Sequence, residues 1–195
     1  EIILNGESRA RIRVLDEPAR ETGIRHIEFK TDEPIESVLS RIGRIPLPPY
    51  IDREDTPLDR ELYQTVFAKR PGAVASPTAG LHFDQALLNQ IKEKGIEILF
   101  VTLHVSYGTF QPVASEDLTQ HKIYEEYFEI SDETAERINF AKADGRRIIA
   151  CGTTVVRTLE SAATSSIPSE IEAKEGMANL FIHSPYEFKI VDAMI

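Results

Sequence analysis

Ser76-Pro77-Thr78-Ala79-Gly80-Leu81-His82-Phe83 sets a hydroxyl, a glycine and a histidine between a short apolar run, Ala73-Val74-Ala75, and the start of a new helix. A segment that only packs does not need that mixture. The apolar run reads as a buried strand, and Asp84 reads as the cap of a helix whose apolar face is Leu87, Leu88 and Ile91. Lys92 and Lys94 in its last turn and Gly95 behind them mark the stop. Residues 96–101 then read as a second strand. Strand, turn, helix and strand in that order predict a crossover unit whose turn lies at the carboxyl end of the first strand, where open α/β sheets bind ligands.

Working outward toward the N-terminus, Arg9, Arg11 and Arg13 alternate with Ala10, Ile12 and Val14, and Arg25 and Glu28 with Ile27 and Phe29. This is β-structure with one wet face. Residues 34–42 fit a short helix with Ile35, Val38, Leu39 and Ile42 inward. Pro46, Pro48 and Pro49 follow, and three prolines in four residues forbid both helix and central strand. A domain boundary is expected here, with residues 1–46 as part of a smaller β-rich domain and residues 47–195 as an α/β domain. Pro57 suits a first helical turn, and Leu58, Leu62, Val66, Tyr63 and Phe67 predict that this helix runs to Pro71-Gly72.

Toward the C-terminus, Ser131 reads as the cap of a helix with Ala135, Ile138 and Ala141 inward and Gly145 as its stop. Residues 147–151 read as a strand and 154–163 as a helix with Val155, Val156, Leu159, Ala162 and Ala163 on one face. Residues 165–174 are polar and expected to be mobile, and 180–183 and 188–193 close the chain as strands.

The chain has 195 residues, of which 42% are hydrophobic and 28% charged, enough to bury a core. No apolar run approaches the roughly 18 residues of a spanning helix, and Glu1-Ile2-Ile3-Leu4-Asn5 is not a signal sequence. The lone Cys151 excludes an internal disulfide and a Cys-rich zinc site and favours a reducing, cytoplasmic setting. A monomer is expected. Net charge is −10, which by itself opposes a nucleic-acid partner, but eight acidic residues and one lysine fall between Glu116 and Glu136. A basic face elsewhere remains available, from Arg41, Arg44 and Arg53 around the proline joint or from Lys69-Arg70 and Arg146-Arg147.

Several constellations suit chemistry. Gly152-Thr153-Thr154 lies at a strand-to-helix turn, where free N–H groups and the helix dipole favour an anion such as phosphate or carboxylate, with Arg157 just inside the helix. His104, Gly108 and Thr109 sit at another strand end. His121 and Glu126 could form part of a metal site, though without the spacing of a zinc motif. Two readings follow from these residues alone: a metal-dependent hydrolase built on His82, His104, His121 and Glu126, or a non-catalytic RNA-binding module, whose aromatic pairs are missing beyond Tyr127-Phe128.

Taken in order, residues 43–51, 63–69, 76–83, 104–113, 121–126 and 152–161 resemble the S-adenosylmethionine:tRNA ribosyltransferase-isomerases of queuosine biosynthesis, along nearly the whole chain. The family pattern has a second His where this chain has Tyr124, and a Gly-containing dipeptide where it has Ser184-Pro185, so catalysis is not carried onto Tyr124. The family pattern also extends beyond both ends, so an incomplete enzyme is expected. The resemblance implies an α/β domain joined to a smaller β-barrel-like one. It implies transfer and isomerisation of the ribosyl part of S-adenosylmethionine onto 7-aminomethyl-7-deazaguanine at the tRNA wobble position, with adenine and methionine released and epoxyqueuosine left on the tRNA. No metal and no cofactor are implied, S-adenosylmethionine being a co-substrate. His82, His104, His121 and Glu126 are then the proton carriers. Ser76, Thr78, Gly80, Gly108, Thr109, Gly152, Thr153, Thr154 and Arg157 are the substrate contacts, and Arg41, Arg44 and Arg53 the tRNA contacts.

Overall fold

The computed structural model describes residues 2–3, 11–15, 25–110 and 123–195, and the chain divides into two compact units, Glu1–Ile45 and Pro46–Ile195. In the first unit, β1 (Ile2–Ile3), β2 (Arg11–Val14) and β3 (Ile27–Lys30) form an antiparallel sheet in the order β1-β2-β3. The register pairs Ile12 with Phe29, Val14 with Ile27 and Arg13 with Glu28, and sets Arg11 opposite Lys30 at one end. Helix α1 (Ile35–Ile42) follows with Val38 fully buried, whereas Leu39, expected inward, is 49% exposed.

The second unit carries the remaining elements. Strands β4 (Thr102–Leu103), β5 (Glu126–Ile130) and β7 (Lys174–Ala178) make an antiparallel sheet in the order β4-β5-β7. Strand β6 (Ile149–Ala150) pairs in parallel with β8 (Ala193–Met194). The expected first crossover unit does not form among the described residues. Residues 73–75 are hemmed in by Pro71, Gly72 and Pro77, and they contribute one bond, from Val74 N–H to the Val105 carbonyl, instead of a ladder. Residues 96–101 stay outside the sheet, which starts only at Thr102. The described fold is a mixed α/β arrangement of small sheets.

Helix α3 (Gln85–Glu93) starts where expected, with the Asp84 carboxylate accepting from the Leu87 N–H, but it buries Leu88 and leaves Leu87 exposed. Helix α4 (Asp132–Ala143) is capped by the Ser131 hydroxyl on the Thr134 N–H and buries Ala135, Ile138 and Ala141. Helix α5 (Gly152–Ser161) opens two residues earlier than the sequence suggests. The helix expected over 57–67 shrinks to α2 (Asp59–Leu62). Its would-be inner face, Leu58, Leu62 and Val66, is exposed, and so short a helix gains nothing from propensity alone.

The core lies between the sheet and two helices: Phe128 and Ile130 of β5 meet Ala135 and Ile138 of α4 and Leu159 of α5. Burying each large side chain contributes about 1.5–3 kcal/mol. Residues 165–174 are structured: Ser169 Oγ donates to the Ser166 carbonyl, Asn139 takes the Ile171 N–H, and Ile171 joins the core. The strand expected over 180–183 is absent, and that over 188–193 reduces to β8. Strands β5 and β7, unforeseen in the sequence, form the middle and one edge of the main sheet.

Candidate functional site

The Ser76–Phe83 stretch folds as a 3-10 turn over Thr78–His82. It abuts the start of α5. Gly152 has φ +82°, a conformation glycine adopts freely, and a Cβ there would lie 2.9 Å from the Ala79 Cβ. Two of the turns singled out in the sequence therefore touch. The Gly152 N–H donates to the Ile195 carbonyl at 2.8 Å, so one of the first N–H groups of α5 is already engaged. Thr153 is exposed and Thr154 half-buried. Gly80 is buried, with Thr65 Cγ2 and Phe67 Cζ 2.9 and 3.1 Å from where a Cβ would stand, while Thr78 and His82 are exposed. Burial pushes the Tyr63 phenol up in pKa, against a hydrogen bond from the Ser76 backbone that lowers it.

The next segment meets the same stretch from the side of Pro71-Gly72. Val74 N–H donates to the Val105 carbonyl at 2.8 Å. The His104 ring lies over Gly72, whose φ is +143°: a Cβ there would fall 1.8 Å from His104 Nδ1. His104 also donates its backbone N–H to the Tyr127 carbonyl, and the two rings meet edge-on with centroids 5.4 Å apart. Tyr127 Oη donates to Glu175 Oε2 at 2.7 Å, which raises the phenol pKa. Sequence reading missed Gly72 and Tyr127 as supports of His104. The Pro71-Gly72 breaker, read there only as a helix stop, was the available signal.

Strand β5 points Glu126, Phe128 and Ile130 to its buried side, so a carboxylate occupies a core row and needs partners. It has two. Oε1 accepts the Ser106 N–H at 2.8 Å and Oε2 accepts Arg157 Nη1 at 2.5 Å. Arg157 in turn donates to the carbonyls of Tyr124 and Ala178 through Nη2, at 2.7 and 2.6 Å, and to that of Leu180 through Nε at 3.1 Å. Burial lowers the guanidinium pKa, and the Glu126 charge opposes this. Glu126, expected to move protons, thus has both oxygens engaged by the protein, and Arg157, expected at substrate, ties α5 to β5 and β7. Gly108 lies under the Tyr124 ring, which would be 2.2 Å from a Cβ at that position, and Thr109 is exposed. The hydroxyls of Ser76 and Ser106 are shut off from water and have no hydrogen-bond partner.

Within the first unit, Arg41 makes a two-pronged pair with Glu33, at 2.9 and 2.5 Å. Within the second, Arg53 grips both oxygens of Asp59 at 2.7 Å, and that carboxyl is held far below the usual range by Arg53 and by Thr56. Arg44 is exposed. Arg70 pairs with Glu129, and Arg146 with Glu97 and Asp144. His121 lies outside the described residues. Among the described residues no group of three or more His, Cys, Asp or Glu is gathered as a metal ion would require, so the metal-dependent hydrolase finds no support there. No described helix is long and apolar enough to cross a membrane.

What converges, then, is a set of Gly-, Ser- and His-bearing turns around the start of α5 and one end of β5, in a mixed α/β chain. The family model described as queuosine biosynthesis protein matches residues 2–195, and the chain belongs to that family. Among solved structures it is similar to the S-adenosylmethionine tRNA ribosyltransferase of Thermotoga maritima, with 36% identity and a TM-score of 0.43. That similarity covers 60% of this chain and 34% of the Thermotoga chain, about a third of its length.

Proposed function

We propose that this chain is part of an S-adenosylmethionine:tRNA ribosyltransferase-isomerase. The ribosyl group of S-adenosylmethionine moves to 7-aminomethyl-7-deazaguanine at the tRNA wobble position and is rearranged to an epoxycyclopentanediol, while adenine and methionine leave. Family membership over residues 2–195 carries this reading. Three proton movements are needed: removal of a proton from the carbon acidified by the sulfonium, protonation of departing adenine, and deprotonation of the attacking amine. Imidazoles titrate near neutrality and suit all three. His82 and His104 take these roles, with His121 as a third carrier.

Glu126 acts as an anchor rather than as a proton carrier, because its oxygens already hold Ser106 and Arg157. Ser76, Thr78, Gly80, Gly108, Thr109, Gly152, Thr153 and Thr154 line the donor site, with the methionine carboxylate near the start of α5. No separate cofactor takes part. Residues 1–46 are part of a smaller β-barrel-like domain, and residues 47–195 form the catalytic one. Arg41, Arg44 and Arg53 face the tRNA, and the enzyme works as a cytoplasmic monomer.

Replacing His82 or His104 by Ala tests the chemistry. Each change should lower turnover by at least about 100-fold without weakening tRNA binding. Wild-type turnover in both variants contradicts the assignment.

A further inference from the structure

The backbone of Ser106 is firmly held. Its N–H donates to Glu126, Glu126 is held by Arg157, and Arg157 is anchored on three carbonyls, those of Tyr124 just before β5, Ala178 at the end of β7 and Leu180 beyond it. Yet the Ser106 hydroxyl is closed off from water and bonds to nothing. The Ser76 hydroxyl, on a residue 7% exposed, is in the same condition. The two lie on segments joined by the bond from Val74 N–H to the Val105 carbonyl. A rotatable hydroxyl that stays buried without a partner destabilises the fold, and such groups are rare in native structures. Of the three such hydroxyls among the described residues, Ser76, Ser106 and Ser161, the first two lie on adjoining segments within the converging turns, as in a site whose missing partner arrives with a ligand.

We infer that Ser106 is a substrate-contacting residue, whose hydroxyl, together with that of Ser76, hydrogen-bonds the sugar hydroxyls of the ribosyl donor. The inference rests on the functional reading above and adds a residue to it. A serine hydroxyl both donates and accepts, as a sugar hydroxyl does. The carboxylate and sulfonium of the donor call instead for charge, and the charges in the Ser106 chain, Glu126 and Arg157, already neutralise each other.

Calorimetric titration of the full protein with S-adenosylmethionine, paired with thermal melting, tests this. Ser106→Ala should bind the donor about 3- to 10-fold more weakly and melt no lower than wild type, since it loses a destabilising group. Ser106→Cys keeps the volume and replaces the hydroxyl by a weak hydrogen-bonder, so it should follow Ser106→Ala. Unchanged affinity in both variants overturns the assignment while leaving the functional reading intact. Weaker binding with a lower melting temperature in both makes Ser106 a packing residue and overturns it as well. A wild-type protein that does not bind S-adenosylmethionine overturns the functional reading, and the assignment with it.

Discussion

Arg157 Nη1 donates to Glu126 Oε2 at 2.5 Å, and neither side chain is more than 11% exposed. A pair so far out of water is held by geometry. The guanidinium finds three carbonyls besides, and the carboxylate finds the Ser106 N–H. Removing one partner leaves the other charge buried and alone. Glu126→Gln should therefore lower stability by about 3–5 kcal/mol, on the order of 10 °C in Tm for a chain of this size. Glu126→Leu combined with Arg157→Met should recover part of that loss. Thermal melts of the three proteins check it; a Glu126→Gln protein as stable as wild type contradicts the pairing.

Gly72 supplies the floor for His104. An added methyl would collide with the imidazole, 1.8 Å from Nδ1, and φ +143° disfavours any side chain. The ring is the part that can give way. Gly72→Ala should thus move His104 and reduce turnover by about 100-fold, as loss of a general acid or base does, while strain lowers stability by only about 1–3 kcal/mol. Turnover measured beside Tm separates the two effects, and full activity would show that the placement of His104 does not matter.

Tyr186 Oη donates to Glu160, and burial, then the Glu160 charge, push its pKa up to about 12. The unfolded phenol titrates near 10. A folded pKa above the unfolded one stabilises the protein below the unfolded value, and that stabilisation is lost as pH rises through the folded value. Wild type should then lose Tm relative to Tyr186→Phe between about pH 10 and pH 12. Parallel melting curves over that range would contradict the shift.

Arg44, exposed on the surface of its unit, gives one test of the proposed tRNA contacts. Arg44→Glu should weaken tRNA binding and flatten its salt dependence by a slope of about 1, with affinity for S-adenosylmethionine unchanged. Equal tRNA affinity and slope in the folded variant place the tRNA elsewhere.

Elements with a strong local signal are legible in the sequence. Asp84 and Ser131 announce α3 and α4, Gly95 and Gly145 end them, and the alternation holds through β2 but only in part in β3, where Phe29 is sheltered and Ile27 is exposed. Strand β5 was hidden because the charge of Glu126 stands on the inward row with Phe128 and Ile130, which spoils the apolar alternation. Strand β7 has only Ala178 fully buried, so its place is dictated by pairing with β5 and not by its own pattern. The site motifs could be read one by one. The contacts that assemble them, Gly72 on His104, Ala79 on Gly152 and Glu126 with Arg157, join residues far apart in the chain and leave no local trace. The engagement of Glu126 and Arg157 with each other was invisible for the same reason.

The activity proposed above, movement of a ribosyl group from S-adenosylmethionine to tRNA, can be followed directly. Given donor labelled in its ribosyl carbons and tRNA bearing 7-aminomethyl-7-deazaguanine, the full protein should transfer the label to the tRNA and release adenine and methionine in equal amounts, without added metal. Adenine release with no label on the tRNA would contradict that activity.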